Sequence, residues 1–450
     1  MSQLKLSPTL WTSQTVFIMA AIGSAVGLGN LWKFPYITGE NGGGAFVLVY
    51  LLCILLIGLP ILIAEISLGR AGQANPPQAM ANLVKKTGAN KLWVWLGFNG
   101  LLGGLLILSF YSVIAGWALA YFFESLSGSF ISMDADAAQA HFDGFVGNAW
   151  QLLFWHTLVM LTTVWIVIQG VRSGIERAIN IMMPGLLVIL LILLGYAMST
   201  GAFAASFDFL FRADFDKLSA NSVLIALGHA FFTLSLGFGT MMVYGSYLPN
   251  DYSIIKASIW IAVADTVIAL LAGLVIFSIV FGNELEAGSG PGLLFQTLPI
   301  AFGQMTGGWF FGTLFFGMVV FAAISSSISM IEPAISWLEQ NWHYSRRKSA
   351  WILGSITWVI GLGSVLSFNL WQDKTFFADK TFFDTMDFLT SNMMLPLGGL
   401  FTAIFVGWVW SQQQRNEETG MPAKWSPVYQ VIIKWVAPIL VFIVFVNSVF

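Results

Sequence analysis

The chain has 450 residues, of which 57% are hydrophobic and 9% are charged, and its formal net charge is -3. An average soluble protein carries about 25% charged residues, so this composition excludes a soluble globular protein, and the lack of a clustered basic patch argues against nucleic-acid binding. The single cysteine, Cys53, excludes an intramolecular disulfide framework and a cysteine-based metal cluster.

The hydrophobic residues fall in about eleven long apolar runs within one domain, residues 1–450. A bilayer core of roughly 30 Å needs about 20 helical residues to cross it, so each run predicts a membrane-spanning helix. We therefore expect an all-α membrane protein. The predicted helices cover residues 13–38, 44–70, 92–126, 149–169, 178–200, 220–246, 254–283, 309–341, 349–369, 383–411 and 427–449.

Basic residues predict the orientation, because Lys and Arg are retained on the cytoplasmic side. With the N-terminus inside, the inner loops carry fourteen of the 19 basic residues, the outer loops carry four, and Lys33 lies within the first helix. We expect a protein of the cytoplasmic (inner) cell membrane whose C-terminus, after an odd number of helices, is outside. The outer loop 284–308, with Pro291 and Pro299, is either a structured loop over the protein or a plain connector.

Two glycine-rich segments interrupt predicted helices, with three glycines within residues 23–30 and two within residues 233–240. Glycine often serves helix packing in membranes, but a break is tolerated only where the freed backbone groups face protein, water or ligand. Because one break opens each half of the chain, we predict inverted repeats at 13–200 and 220–411, with 427–449 as an additional helix. Such paired breaks indicate a transporter binding site at the membrane midplane.

Three segments resemble signature motifs of the neurotransmitter:sodium symporter family. They are Asn-Leu-Trp-Lys-Phe-Pro at 30–35, Glu-Asn-Gly-Gly-Gly-Ala-Phe at 40–46 and Phe-Phe-Thr-Leu-Ser-Leu-Gly-Phe-Gly at 231–239. The chain looks closest to bacterial amino-acid members, including the leucine transporter and the eleven-helix multi-hydrophobic amino-acid transporters. The resemblance implies a 5+5 inverted-repeat fold with unwound first and sixth helices. It also implies sodium-coupled symport of hydrophobic or aromatic L-amino acids into the cell by alternating access.

Two alternatives stay open, namely a transport-inactive amino-acid sensor on the same scaffold and a carrier of another small zwitterion. No zinc motif, serine–histidine pairing or nucleotide-binding loop is recognised in the sequence, so we expect no enzymatic activity. The expected partners are an amino-acid substrate and the lipid bilayer, without nucleic acid. The sequence leaves open the preferred amino acid, the sodium stoichiometry, proton antiport and the oligomeric state.

By resemblance, the chain would hold sodium at two sites built from oxygen ligands, which suit a small hard cation. The first site would combine the substrate carboxylate with Ala25, Asn30, Thr233 and Asp265. The second would use backbone carbonyls and hydroxyls, from Gly23, Val26, Ala322, Ser325 and Ser326.

Asp265 can be singled out without the family, because an acid well inside a membrane helix is costly and is functional by default. An acid satisfied by neighbouring hydroxyls is the alternative. Many relatives carry asparagine here, and chloride-dependent members bind the anion nearby, with glutamine and serine where this chain has His229 and Ala269. We expect Asp265 to replace chloride and transport to be chloride-independent. His229 is expected to form hydrogen bonds, with proton antiport through it or Asp265 as the alternative.

The substrate class is inferred from Gly27, where monoamine carriers have an aspartate that pairs with the amine. Glycine leaves room for a carboxylate, which favours an amino acid. By resemblance, Glu65 is expected to support the site by bonding backbone groups at the breaks, with simple packing of a protonated acid as the alternative. By resemblance, the substrate-binding residues are Ala25, Leu28, Gly29, Ile107, Tyr111, Phe232, Ser235, Phe238, Ser326 and Met330.

Gates are expected on both sides of this site. Outside, Lys33 and Asp387 match the charged pair of the family, with lysine lacking the bidentate fork of arginine. Inside, Trp11 and Tyr247 match gate residues. Pro8 and Gln340 stand where the family has an ion pair, so Lys5, Glu332 and Glu339 are replacement candidates.

Gly174 and Pro184 lie near the cytoplasmic start of the fifth helix. Both residues weaken a helix, so this turn can unwind at low cost. By resemblance, unwinding would hydrate the second sodium site and start inward release. A proline at a helix start beside an incidental glycine is the alternative.

Overall fold

The structure, a computed structural model, describes residues 10–285 and 292–449, and within these ranges the chain forms helices and turns without a β-strand. We number the membrane helices α1 to α11 in chain order. They are α1 (Gln14–Ala25 and Gly29–Glu40), α2 (Gly44–Gly72), α3 (Lys91–Leu126), α4 (Ala149–Val167), α5 (Val171–Ser199), α6 (Ala220–Thr233 and Thr240–Ser246), α7 (Ile254–Gly282), α8 (Gly308–Trp342), α9 (Arg346–Ser367), α10 (Phe382–Val409) and α11 (Ser426–Val449).

Nine of these helices, in the described part of the chain, are each long and apolar enough to cross a membrane unaided. The two halves of α1 are bent by 51° and together make a tenth span. The halves of α6 are each too short to cross alone. All eleven predicted helices are thus present. The two helices that are interrupted, α1 and α6, are the two for which the sequence predicts breaks.

Polar caps fix where several helices begin. The side-chain oxygens of Ser13, Ser219 and Ser345 each accept a hydrogen bond from the backbone N–H three residues later. Each cap satisfies one of the donors that the first turn of a helix leaves free, which is worth about 1 kcal/mol. The start of α1, α6 and α9 is therefore encoded locally.

The two breaks adopt non-helical backbone for different reasons. In α1 the chain turns extended at Val26, with φ −71° and ψ 106°. In α6 the backbone enters the left-handed region at Ser235, Gly237 and Gly239, with φ of 53°, 82° and 73°. Glycine adopts that region without the Cβ clash that other residues meet, so the α6 break depends on its glycines.

The breaks lie in the middle of the helix bundle. α8 packs along α3 and also contacts α1, α5 and α6, which surrounds the broken pair with long continuous helices. Nearly all residues of both breaks are buried. Freed backbone groups at the breaks therefore face protein and not lipid, as a membrane interior requires.

Short helices cover the two ends of the bundle. Helix Leu298–Gln304 lies in the predicted outer loop, where Phe295 and Phe302 are buried. Phe295 packs edge-on against Trp117 and Tyr121, with ring centroids 5.5 and 5.2 Å apart. The structured alternative for this loop is therefore correct over its described part, whereas Pro291 lies outside the described residues.

Candidate functional site

A buried polar cluster joins α1, α6 and α7 beside the breaks. Asn30 Nδ2 donates to Asp265 Oδ1 at 2.8 Å and to Thr233 Oγ1 at 3.1 Å. The Thr233 hydroxyl lies 2.9 and 3.1 Å from the two carboxylate oxygens of Asp265, to which it donates. The structure therefore brings together three predicted ligands of the first sodium site, while Ala25 is buried at the end of the first half of α1.

The predicted second sodium site lies between α1 and α8. The Ser326 hydroxyl is 3.4 Å from the Val26 carbonyl oxygen, and the Ser325 hydroxyl donates to the Ala322 carbonyl at 3.0 Å. Gly23 lies against α5, where a Cβ atom on it would be 3.2 Å from Met183 Sδ. Four of the five predicted ligands thus form a local oxygen-rich group, with Gly23 facing the helix that carries Pro184.

Both groups fit a small hard cation by their chemistry. They present hydroxyl, carbonyl and carboxylate oxygens in buried surroundings, which is the ligand set that alkali and alkaline-earth ions prefer. The Asn30 side-chain oxygen accepts from the Gly27 N–H at 3.1 Å, so its oxygen is directed at the α1 break. The carboxylate of Asp265 would neutralise the charge of a cation bound beside it.

The groups that are expected to hold a substrate carboxylate lie close together at the break in α1. The Leu28 N–H donates to the Tyr111 hydroxyl at 3.4 Å. A Cβ atom on Gly27 would lie 2.7 Å from Ser326 Oγ, closer than real Cβ atoms approach, and 3.0 Å from Tyr111 OH, which is a tight contact. An acidic side chain at Gly27 would require these groups to move, so only glycine fits the present arrangement.

The predicted substrate pocket is drawn from four helices around the breaks. The Ser235 hydroxyl donates to the Ser24 carbonyl at 2.8 Å and so links the two breaks directly. Phe232 lies over Gly29, where an added Cβ would be 3.1 Å from the Phe232 ring. Buried predicted pocket residues are Ala25, Leu28, Gly29, Ile107, Tyr111, Ser235, Phe238, Ser326 and Met330.

Gly104, which the sequence analysis did not single out, packs against the backbone of two predicted pocket residues. An added Cβ there would lie 2.7 Å from the Met330 carbonyl and 3.5 Å from the Phe238 carbonyl. Glycine at this position lets α3 approach α6 and α8 closely. The signal available in the sequence was the Gly103-Gly104 pair, which is also typical of ordinary helix packing in membranes.

Glu65 on α2 reaches the α6 break. Its Oε1 accepts from the Gly237 N–H at 2.7 Å, and its Oε2 has no hydrogen-bond partner among the described residues. Gly237 has a second constraint, because an added Cβ would lie 2.8 Å from the Leu395 carbonyl of α10. Glycine at 237 therefore serves both the left-handed backbone of the break and the close packing of α10.

His229 does not form the expected hydrogen bonds. Neither ring nitrogen has a partner among the described residues, and the side chain is buried. The ring packs instead on Phe34 and Tyr50, with centroids 5.9 and 5.4 Å away. The ring also borders the cavity at the predicted outer end, so its contacts with the described residues are aromatic packing and not hydrogen bonds.

The outer gate is not latched by the expected ion pair. Lys33 Nζ lies 4.7 Å above the Phe232 ring, and the Asp387 carboxylate accepts from the Ser391 hydroxyl at 2.7 Å. A cavity of about 450 Å³, lined by Lys33, Phe232, Ser391 and Asn392 among others, opens at this end. The expected Lys33–Asp387 pair is not formed in this structure, where Lys33 faces Phe232 and Asp387 bonds to Ser391.

At the predicted inner gate, an arginine that the sequence analysis did not assign pairs with two acids. Arg346 donates to both carboxylate oxygens of Glu332, at 3.0 and 2.5 Å, and to Glu339 at 3.2 Å. The Tyr247 hydroxyl donates to the same Glu332 at 2.9 Å. Trp11 continues this chain of contacts, since its Nε1 donates to the Tyr244 carbonyl at 3.0 Å.

The other inner-gate candidates have different outcomes. Gln340 accepts from the Asn75 backbone and side-chain amides at 2.9 and 2.7 Å, and so holds the short helix Pro76–Thr87. Lys5 and Pro8 lie outside the described residues. Arg346 could have been suspected from Glu332, because a fully buried acid needs a partner and Arg346 begins the next helix.

The start of α5 is irregular around Gly174, which lies in a π-helical turn over Val171–Glu176, and Pro184 lies inside the following helix. Glu176 was missed by the sequence analysis. Its carboxylate accepts from the Thr12 N–H at 3.1 Å and from the Thr12 hydroxyl at 2.9 Å. The segment before α1 is thus tied to the turn that is expected to unwind.

A serine and a histidine do meet in the structure, contrary to the sequence analysis. Ser112 Oγ lies 3.0 Å from His156 Nδ1, and His156 Nε2 lies 3.2 Å from the Trp358 carbonyl. Both side chains are fully buried between α3, α4 and α9. The pair therefore joins helices within the bundle, away from the breaks.

Comparison with known proteins places this architecture among membrane transporters. The profile described as "Sodium:neurotransmitter symporter family" matches residues 9–138 and 144–450. An uncharacterised sodium-dependent transporter of Bacillus subtilis (strain 168) is 36% identical over 452 residues, covering 98% of each chain. Another from Haemophilus influenzae is 32% identical over 450 residues, with the same coverage of 98% on both sides.

A solved structure is also similar over nearly the full length. The crystal structure of MhsT in complex with L-phenylalanine has a TM-score of 0.90 and 40% sequence identity, and covers 98% of this chain and 99% of that one. The likeness confirms the predicted fold class. These relatives are transporters and not enzymes.

Proposed function

The chain belongs to the sodium:neurotransmitter symporter family, and we propose that it imports hydrophobic or aromatic L-amino acids with sodium, independently of chloride. Its relatives are sodium-dependent transporters, and the similar structure of MhsT holds L-phenylalanine. The cell membrane that it occupies is proposed to be the cytoplasmic one, with the N-terminus inside.

The observation that carries the proposal is the juxtaposition of the two breaks with the Asn30–Thr233–Asp265 cluster. The amide groups of Leu28 and Gly29 begin the second half of α1, and a helix start favours a negative group. A substrate carboxylate there would lie beside a sodium ion held by the cluster. The sodium ion and the substrate carboxylate would then attract each other, so that the binding of one favours the binding of the other.

The hydrophobic side chain of the substrate is proposed to lie among Ile107, Phe232, Phe238 and Met330. Burial of apolar surface contributes roughly 25 cal/mol per Å², so a large apolar substrate gains most from this lining. Met330 adds a flexible thioether that can adapt to different shapes. The Ser235 and Ser24 groups at the breaks offer hydrogen-bonding atoms near the expected position of the substrate amine.

Chloride independence is proposed because Asp265 already supplies a negative charge at the first sodium site. We predict that Asp265→Asn weakens sodium-dependent substrate binding or introduces a chloride requirement. The exposed Asp208→Asn is the matched control, since it removes one acid far from the site. Unchanged sodium dependence of Asp265→Asn in chloride-free buffer, with no chloride effect, would contradict the charge-replacement proposal.

Alternating access is proposed to move two inverted repeats, residues 13–200 and 220–411, about the site. Inward release would require the Arg346–Glu332 contact to open and the irregular start of α5, from Gly174 to Pro184, to unwind. Because Glu176 in this turn holds Thr12, unwinding would also free the segment before α1.

The deciding experiment is uptake of labelled leucine, tryptophan and glycine into proteoliposomes. Each is tested with an imposed sodium gradient and with potassium in place of sodium, with and without chloride. We expect leucine or tryptophan to accumulate only with sodium, with or without chloride, and glycine to accumulate far less. Binding of one of them without any accumulation would support the sensor alternative instead.

A further inference from the structure

An apolar groove runs along the lipid-facing side of α10 and α11, away from the substrate site. It has a volume of about 650 Å³ and is lined almost entirely by large hydrophobic side chains. Only 22% of the most apolar window of α11 is buried in the protein, so most of this helix is available to the hydrocarbon of the bilayer. Residues of the groove include Phe401, Ile404, Ile439, Phe442 and Ile443.

One end of the groove carries a cation between two tryptophans. Lys434 Nζ lies 4.4 Å from the centroid of the Trp408 ring and 5.9 Å from that of Trp435. The Trp408 indole N–H donates to the Lys434 carbonyl at 2.9 Å, which fixes the ring beside the lysine. Among the described residues, no acidic side chain lies within 4 Å of this ammonium.

The chemistry of the groove selects its occupant. Tryptophan is enriched where a membrane helix meets the headgroup region, so the Lys434 end lies at headgroup depth. A lysine at that depth attracts anionic lipid headgroups, and each such lysine contributes about 1 kcal/mol to the binding free energy. A second protein helix is disfavoured, because close helix contacts in membranes use small residues and this groove is lined by phenylalanine, isoleucine and leucine.

We propose that the groove binds one anionic phospholipid, with its phosphate at Lys434 and an acyl chain along α10 and α11. A neighbouring groove of about 700 Å³ between α3 and α10 shares Leu397 and Phe401 with it. The second acyl chain would lie there, against Trp93 and Leu102, so that the lipid straddles α10. This site is independent of the proposed amino-acid transport.

The test is native mass spectrometry of the purified full-length protein, equilibrated with phosphatidylglycerol or phosphatidylcholine of identical acyl chains. We expect one phosphatidylglycerol to be retained in preference to phosphatidylcholine. Lys434→Gln should lower phosphatidylglycerol retention about fivefold and leave phosphatidylcholine unchanged. Lys424→Gln is the matched control, because this lysine also lies over a tryptophan, Trp425, but outside the groove.

A second variant tests the chain-binding part of the site. Ile443→Trp should fill the groove and lower retention of both lipids, with an unchanged melting temperature showing that the protein is folded. Equal loss in Lys424→Gln, or unchanged retention in Lys434→Gln, would overturn the proposal. Displacement of the lipid by glycerol phosphate alone would indicate a simple phosphate site and would also overturn the proposal. Conversion of a dimer to a monomer by Ile443→Trp would indicate a subunit interface and would overturn it as well.

Discussion

The two ends of the proposed substrate path are closed by different interactions. At the inner end, Arg346 is paired with Glu332 and Glu339 in buried surroundings, and Trp11 packs against Tyr244. At the outer end, Lys33 only faces an aromatic ring and a cavity of about 450 Å³ is present. In the proposed alternating-access cycle, opening the inner end would separate buried charges, whereas closing the outer end would bring Lys33 to a carboxylate. The two proposed gates therefore differ in the number and burial of their charged contacts.

The largest expected effect comes from the inner end. Arg346→Gln leaves Glu332 buried without its cation, which costs about 3–5 kcal/mol for a buried pair. We expect inner closure to be lost, uptake to fall to near background, and backbone hydrogen exchange to rise around residues 240–247. Arg347→Gln, which removes the adjacent exposed charge, should behave like the wild type. Normal uptake by Arg346→Gln would show that other contacts hold the inner end closed.

A smaller effect is expected where the segment before α1 meets α5. Glu176→Gln weakens two hydrogen bonds to Thr12, and a bond to a charged group contributes about 1.5–3 kcal/mol. Hydrogen exchange should rise over residues 10–20 and over Val171–Glu176 together. Thr12→Val combined with Glu176→Gln should add little beyond either change alone. Additive effects would mean that the two residues act separately.

The outer end should respond more weakly still. Lys33→Arg supplies a planar fork that can pair with Asp387 in a bidentate manner, which lysine cannot do. We expect slower dissociation of bound substrate, by about fivefold at most, since exposed ion pairs contribute about 1 kcal/mol or less. Asp387→Asn should cancel the slowing. An equal slowing in the double variant would assign the effect to the Phe232 contact.

The smallest expected effect is a pH dependence at the outer surface. A hydrogen bond to Glu124, at 2.9 Å, raises the pKa of His141 on the short helix Ala135–Gly147 above its usual value. This contact stabilises the fold fully below about pH 6.5, and the contribution is lost as pH rises through the raised pKa. His141→Asn should therefore lower the melting temperature at about pH 5.5 and have no effect at about pH 9. A pH-independent difference would contradict this assignment.

The sequence was sufficient for the helices and their breaks. Long apolar runs and paired glycine clusters are local properties, and the backbone at Gly237 and Gly239 follows from the glycine itself. The sequence also singled out Asp265 as a buried acid, because acids inside membrane helices are rare whatever surrounds them.

Contacts between distant helices could not be predicted in the same way. Arg346 pairs with Glu332 because α9 begins beside that acid. The distribution of basic residues along the sequence does not show that these two side chains are close together. Lys33 and Asp387 are not paired in this structure, and their predicted gate role stays a prediction, because a gate contact depends on the state of the molecule. His229 was expected to form hydrogen bonds, but its ring packs on Phe34 and Tyr50, which lie on other helices.

The most direct test of sodium-coupled binding at the breaks is equilibrium binding of labelled leucine to the purified protein in chloride-free buffer. The sodium concentration is varied against potassium at constant ionic strength. We expect the affinity to rise steeply with sodium, and Thr233→Val to reduce this rise because it removes one of the oxygens beside Asp265. An affinity that is the same in sodium and potassium would contradict a shared site for the ion and the amino acid.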